Sequence, residues 1–158
     1  MKPSSTSSPV VTGGEGQGGV VLGGANLGVT RIGAPFREAV DRISAVLGTP
    51  SADPKKSVTC INAASEVQWG DFLIAERDGA VGGWSSTSRT LQTPSGVTVG
   101  TTLATLKQVY GQKLKLYPAN PDGGPSFEVT GTSVGGVLSG PESSATVTLL
   151  RTAFCAGP

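Results

Sequence analysis

Apolar residues recur at three- and four-residue spacing from Phe36 through Ala39, Val40, Ile43 and Val46 to Leu47. Arg37, Glu38, Asp41 and Arg42 take the opposite side. This period predicts an amphipathic helix laid on a core. Pro35 suits its first turn, Gly48 stands where a C-cap glycine belongs, and Pro50 forbids continuation. Ahead of it, Val29 to Ile32 is short and β-branched and closes at Gly33, as a strand would. After a polar loop from Ser51 to Ser57 the pattern changes. Glu66 to Trp69 alternates, Gly70-Asp71 turns, and Phe72 to Glu76 is apolar and β-branched. Arg77-Asp78-Gly79-Ala80 then reads as a type I′ hairpin turn, because Asp-Gly tolerates positive φ at both central positions. The return strand runs from Val81 to Thr87, with Trp84 near its middle.

A second helix is predicted from Leu103 to Tyr110. Thr101 or Thr102 is its N-cap, Leu103, Leu106, Val109 and Tyr110 form its buried face, and Gly111 is its stop. Strands follow at Lys113 to Tyr117, Ser126 to Thr130, Gly135 to Ser139 and Thr146 to Thr152. The loops "PANPDGGP" and "GPESSA" punctuate them.

The two helical regions open and close alike. "LGVTRIGAPFREAVDRISAVLG" spans Leu27 to Gly48 and "SGVTVGTTLATLKQVYG" spans Ser95 to Gly111. Each has Gly-Val-Thr, a β-branched residue, a glycine and a helix ended by glycine; from glycine to glycine the first is four residues longer, about one helical turn. The expected architecture is therefore α+β, with two tandem helix-plus-antiparallel-meander units and the helices packed on one side of the sheet. Residues 27–94 form the first unit and 95–158 the second. Residues 1–26, mostly Gly, Ser, Thr and Pro, are expected to be a disordered arm.

Composition narrows the function classes. Twelve basic and eleven acidic residues give a net charge of +1, and along the sequence no window concentrates one sign, so nucleic acid is not an expected partner. The apolar run Val20-Val21-Leu22 falls far short of a membrane span, and no signal peptide follows Lys2. For an exported chain the signal would have been removed upstream of residue 1, where a lipid anchor would also fit. The Gly/Ser/Thr-rich, charge-poor composition suits a secreted or cell-envelope protein.

Cys60 and Cys155 are expected to form one disulfide that ties the C-terminal tail to the first unit; the alternative is a reactive thiol. With no histidine and no Cys-x-x-Cys, no metal site and no cofactor are expected. Gly14-x-Gly16-x-x-Gly19 matches a dinucleotide fingerprint only formally, because no strand precedes it and no helix opens from it. The absence of histidine also excludes Ser-His-Asp and Cys-His nucleophiles. An enzyme would need a Ser-Lys arrangement, for which no Ser-x-x-Lys stands beside a plausible pocket motif, or carboxylates among Glu66, Asp71, Glu76 and Asp78, as a small hydrolase or sugar-active enzyme uses.

Trp69 and Trp84 lie on predicted neighbouring strands. Facing the helices they are core; facing outward they supply the rigid aromatic area typical of interface hot spots. Arg77 and Asp78 at the hairpin tip either form a plain solvated turn or insert into a partner's cleft. These four residues are the candidate binding site, and the expected function is non-catalytic protein binding through a sheet face and hairpin loops.

The short strand, "R-I-G" or "V-G", a helix closing at "LG" before "P", and the meander together resemble the repeat of β-lactamase-inhibitory-protein-like and outer-membrane-assembly-lipoprotein-like modules. "GTTLATLKQVYG", "GGPSFEV" and "GVLSGPESSATVTLLRTAFC" also look like exported proteins of actinobacteria. The resemblance runs from Leu27 to Cys155 and implies protein-binding work in the envelope or outside the cell. The inhibitory protein has a disulfide within each repeat and a concave face rich in aromatics. This chain has two Cys, two Trp, two Tyr and four Phe in all, and no inhibitory residue transfers by motif.

Overall fold

The computed structural model describes residues 19–51, 60, 63–119 and 124–156. Residues 1–18 of the expected arm, and most of the loop after Ser51, lie outside that set.

Helix α1 (Phe36–Leu47) and helix α2 (Leu103–Tyr110) form where the apolar spacing puts them. Gly48 caps α1 at φ 93°, a value reached without strain only by glycine. Thr102 caps α2 by accepting a hydrogen bond from the Thr105 backbone N–H at 3.1 Å. Ala39 and Ile43 of α1 and Leu103 and Leu106 of α2 enter one buried cluster with Val67, Ile74, Trp84, Phe127 and Leu150 from the sheet. Val109 was expected on that face but is exposed. With only eight residues, α2 turns just Leu103 and Leu106 fully inward.

Seven strands follow in chain order: β1 (Glu66–Trp69), β2 (Phe72–Arg77), β3 (Ala80–Ser86), β4 (Leu114–Tyr117), β5 (Ser126–Val129), β6 (Val134–Leu138) and β7 (Val147–Thr152). They make one antiparallel sheet in the order β1-β2-β3-β7-β6-β5-β4. The protein is thus α+β, with the last strand inserted beside the end of the first meander. Residues on both sides of the boundary expected after residue 94 share this sheet. The halves meet at two opposed pairs, Ser85 with Arg151 and Ser86 with Leu150.

Each helix is tied at its start to the beginning of a central strand. Around α1, Gly33 N–H donates to Val81 O (2.8 Å), Val81 N–H to Ala34 O (2.9 Å) and Phe36 N–H to Gly79 O (2.9 Å). Around α2, Gly100 N–H donates to Val147 O, Val147 N–H to Thr101 O and Leu103 N–H to Ala145 O, each at 2.8 Å.

Two expectations are corrected here. Val29 to Ile32 is not a strand: the chain doubles back, with a lone bridge between Asn26 and Arg31 and Leu27 N–H donating to Thr30 O at 2.8 Å. Residues 19–26 are not part of a disordered arm. Val20 and Leu22 are buried in the core, and Leu22 N–H donates to Gln92 O at 2.8 Å. These apolar side chains close the core beside Trp84, whose indole N–H reaches Gly23 O at 2.8 Å.

Candidate functional site

Alternation along the strands gives the sheet a second face, away from the helices. Over β2 and β3 this face is covered. Cys60 and Cys155 form the expected disulfide and, with Leu73, Ala75, Ala63 and Phe154, build a small second core. The tail reaches this position as a 3-10 turn (Ala153–Cys155) rather than as a strand end. Glycine makes room for it: a Cβ on Gly82 would stand 2.8 Å from the Phe154 ring.

Over β4 to β7 the described residues leave the same face uncovered. Register places Lys115, Glu128, Gly135, Arg151 and Ser85 side by side on successive strands. Gly135 contributes no side chain, so the row is hollow between Glu128 and Arg151, whose strands stand roughly 10 Å apart. The resulting groove has a volume of about 590 Å³, and the β5–β6 turn residues Gly131 to Ser133 form part of its wall.

Two features set its chemistry. Arg151 is half-buried, and desolvation lowers its guanidinium pKa from the ordinary value. No hydrogen bond or ion pair of that guanidinium occurs among the described residues. An arginine stays cationic even so, leaving five donors for an anionic or carbonyl-bearing ligand. Opposite it, the Tyr117 hydroxyl donates to Glu128 Oε1 at 2.9 Å. That bond to a carboxylate, then desolvation and the carboxylate charge, raise the Tyr117 pKa above its usual 10.0.

The candidate binding residues do not gather here. Trp84 is 0% exposed and Trp69 is 6% exposed, so both are core and neither can meet a partner. The Trp69 indole N–H donates to Gly48 O at 3.1 Å and to Ser44 Oγ at 3.3 Å, pinning the end of α1 to β1. Both indoles face the helices because Val67, Ile74 and Trp84 fall on one side of the sheet by register. Arg77 is exposed but its guanidinium lies over the Phe154 ring, 5.8 Å from the centroid. Asp78, at φ 53°, and Gly79, at φ 83°, form the expected type I′ turn, so Asp78 is a solvated tip residue.

Among the carboxylates considered for catalysis, Glu66 is buried on β1, Glu76 accepts from Ser65 Oγ at 2.6 Å, and Asp71 lies in the β1–β2 turn. None lines the groove, whose one acidic residue is Glu128. Sequence reasoning alone does not single out Lys115, Tyr117, Glu128 and Arg151 as site residues. For Lys115, Glu128 and Arg151 the signal is a charged residue inside a short strand, as in "SFEV" and "VTLLRT"; Tyr117 carries no such signal.

No family model and no curated protein matches this chain. Among solved structures, it is similar to the uncharacterized protein YfeY from Escherichia coli. The TM-score is 0.54 at 16% identity, covering 85% of this chain and 98% of that one. The likeness is one of fold.

Proposed function

We propose that this protein is a non-catalytic binding module of the cell exterior or envelope. It holds another protein or an envelope component on the uncovered half of its sheet, with hairpin loops at the rim. The observation that carries this reading is the open groove lined in part by Arg151, a half-buried cation with no hydrogen bond or ion pair among the described residues. Such a group favours binding because a ligand carboxylate or carbonyl would pair with a cation that is already partly desolvated. A single lining carboxylate fits binding better than acid–base hydrolysis, which uses two.

The Cys60–Cys155 disulfide supports an oxidising compartment, and no helix among the described residues is long and apolar enough to cross a membrane. The tandem-unit reading draws support from the paired backbone bonds at the two helix starts. Gly33, Ala34 and Phe36 each correspond to a residue 67 positions later, and Gly79 and Val81 to residues 66 positions later. On this reading the two halves are copies of one helix-plus-meander plan, as in the inhibitory-protein-like repeats, with β4 as an addition.

Affinity capture from an envelope extract tests the function. The wild-type chain should retain one partner that rebinds as a purified pair, and a folded Arg151→Glu, Tyr117→Ala variant should lose it. Equal retention by that variant would overturn the groove as the binding face.

A further inference from the structure

The two edges of the sheet are treated differently. At β1 the outer edge is occupied: Ser51 N–H donates to Gln68 O at 2.7 Å, and Ser51 Oγ accepts from Gly70 N–H. At β4 no described strand pairs with the outer edge. Lys113 O accepts from Thr130 N–H on the inner side, so alternation turns the main-chain groups of Leu114 and Leu116 outward. Leu114 N–H is used by Gly111 O, whereas Leu114 O and both groups of Leu116 have no backbone partner among the described residues.

The surroundings of this edge are unlike the rest of the surface. Among the described residues, the large hydrophobic ones that are exposed, Val109 at 41%, Leu116 at 45% and Tyr117 at 40%, all lie on α2 and β4. Beside Leu116, an apolar hollow of about 300 Å³ is formed with Leu103, Pro118, Pro125 and Leu138. Charge is segregated here too. Between Asp78 and Asp122 the sequence has no Asp or Glu, and Lys107, Lys113 and Lys115 are all exposed in this corner. This stretch of the chain carries only positive charge, against the even spread expected from the sequence, and the acidic residue beside it is Glu128, opposite Lys115 on β5.

From these features we infer that β4 receives an extended segment of a partner protein as an eighth strand, and that this segment alternates carboxylate and aliphatic side chains. Main-chain bonds to Leu114 and Leu116 would hold it, as in other edge additions. Its period of two matches the edge: carboxylates meet Lys113 and Lys115 on one face, while aliphatic residues meet Leu116 and the apolar hollow on the other. A second copy of this chain fits poorly. Antiparallel pairing of β4 with itself sets lysine against lysine or tyrosine on the same face, and like charges placed opposite repel. This inference rests on the binding-module reading and uses the outer edge of β4, whose Lys115 and Tyr117 also line one wall of the Arg151 groove.

The test is titration of the full isotopically labelled chain with the peptide acetyl-Glu-Val-Glu-Leu-Glu-Val-Glu-amide, followed by amide NMR. The expected result is perturbation and exchange protection centred on Leu114 to Tyr117, weakening as salt rises. A Lys113→Glu, Lys115→Glu variant should bind this peptide about tenfold more weakly or worse, and should gain affinity for the lysine-for-glutamate peptide. A peptide N-methylated at alternate residues should not bind. Undisturbed β4 amides at millimolar peptide, equal binding of the N-methylated form, or concentration-dependent self-association through β4 would each overturn the inference. Shifts confined to Gly135 and Arg151 would also overturn it, while leaving the groove reading intact.

Discussion

Ser85 stands opposite Arg151 where β3 meets β7, so the small buried hydroxyl and the half-buried guanidinium share one face of the sheet. They are 66 residues apart, the same interval that separates Val81 from Val147 and Gly79 from Ala145. A two-fold axis relating the proposed halves would therefore pass through this pair. The groove begins on one side of it and the disulfide-bound tail covers the other.

Arg151 loses hydration without gaining a partner among the described residues, so it should contribute little to the fold. Arg151→Met should leave stability unchanged or raise it by up to about 1 kcal/mol, since an apolar side chain of similar reach avoids the desolvation. The same variant should abolish partner capture. Urea denaturation decides it: a loss above about 1 kcal/mol would mean that the guanidinium supports the sheet.

Trp84 behaves oppositely. It is wholly buried and its indole N–H satisfies Gly23 O, so Trp84→Ala should cost about 3–5 kcal/mol. Trp84→Phe should cost about 1–3 kcal/mol by leaving that carbonyl unbonded. Any loss of binding should follow unfolding rather than precede it. A Trp84→Phe protein that is fully stable but cannot bind would reinstate the tryptophan as a contact residue.

Local signals were legible and distant ones were not. The α1 face, the Asp78-Gly79 turn and both helix stops follow from spacing within a few residues. Pairing two lone cysteines also needed no geometry. Val20 and Leu22 looked like part of a solvated arm because their glycine-rich neighbours carry no period, and what holds them lies far away at Trp84 and Gln92. The insertion of β7 beside β3 is likewise non-local. It decides which face is covered, and therefore that Arg151 rather than the tryptophans is open to a partner.

The Cys60–Cys155 bridge closes a separation of 95 residues and anchors the second core over β2. Replacing both cysteines with serine should cost about 2–5 kcal/mol, largely by freeing the unfolded chain. Leu73 and Ala75 would lose cover at the same time. Hydrogen exchange should accelerate in β2 more than in β5. Uniform acceleration across both strands would instead mean that the tail adds only to global stability.

Tyr117 supplies a pH signature of the groove. Its pKa is raised chiefly because the neutral phenol donates to Glu128, so ionisation must break that bond beside an existing negative charge. The folded value exceeds the unfolded one. The contribution of the bond is therefore complete below pH 10.0 and is lost as pH rises through the elevated folded value. In a Tyr110→Phe background Tyr117 is the remaining tyrosine, and its phenolate absorbance should titrate above 10.0. Glu128→Gln removes the charge and the strong acceptor and should bring the midpoint back towards that value. A midpoint unmoved by Glu128→Gln would mean that the hydroxyl points elsewhere in solution, and the groove wall opposite Arg151 would then lack this fixed pair.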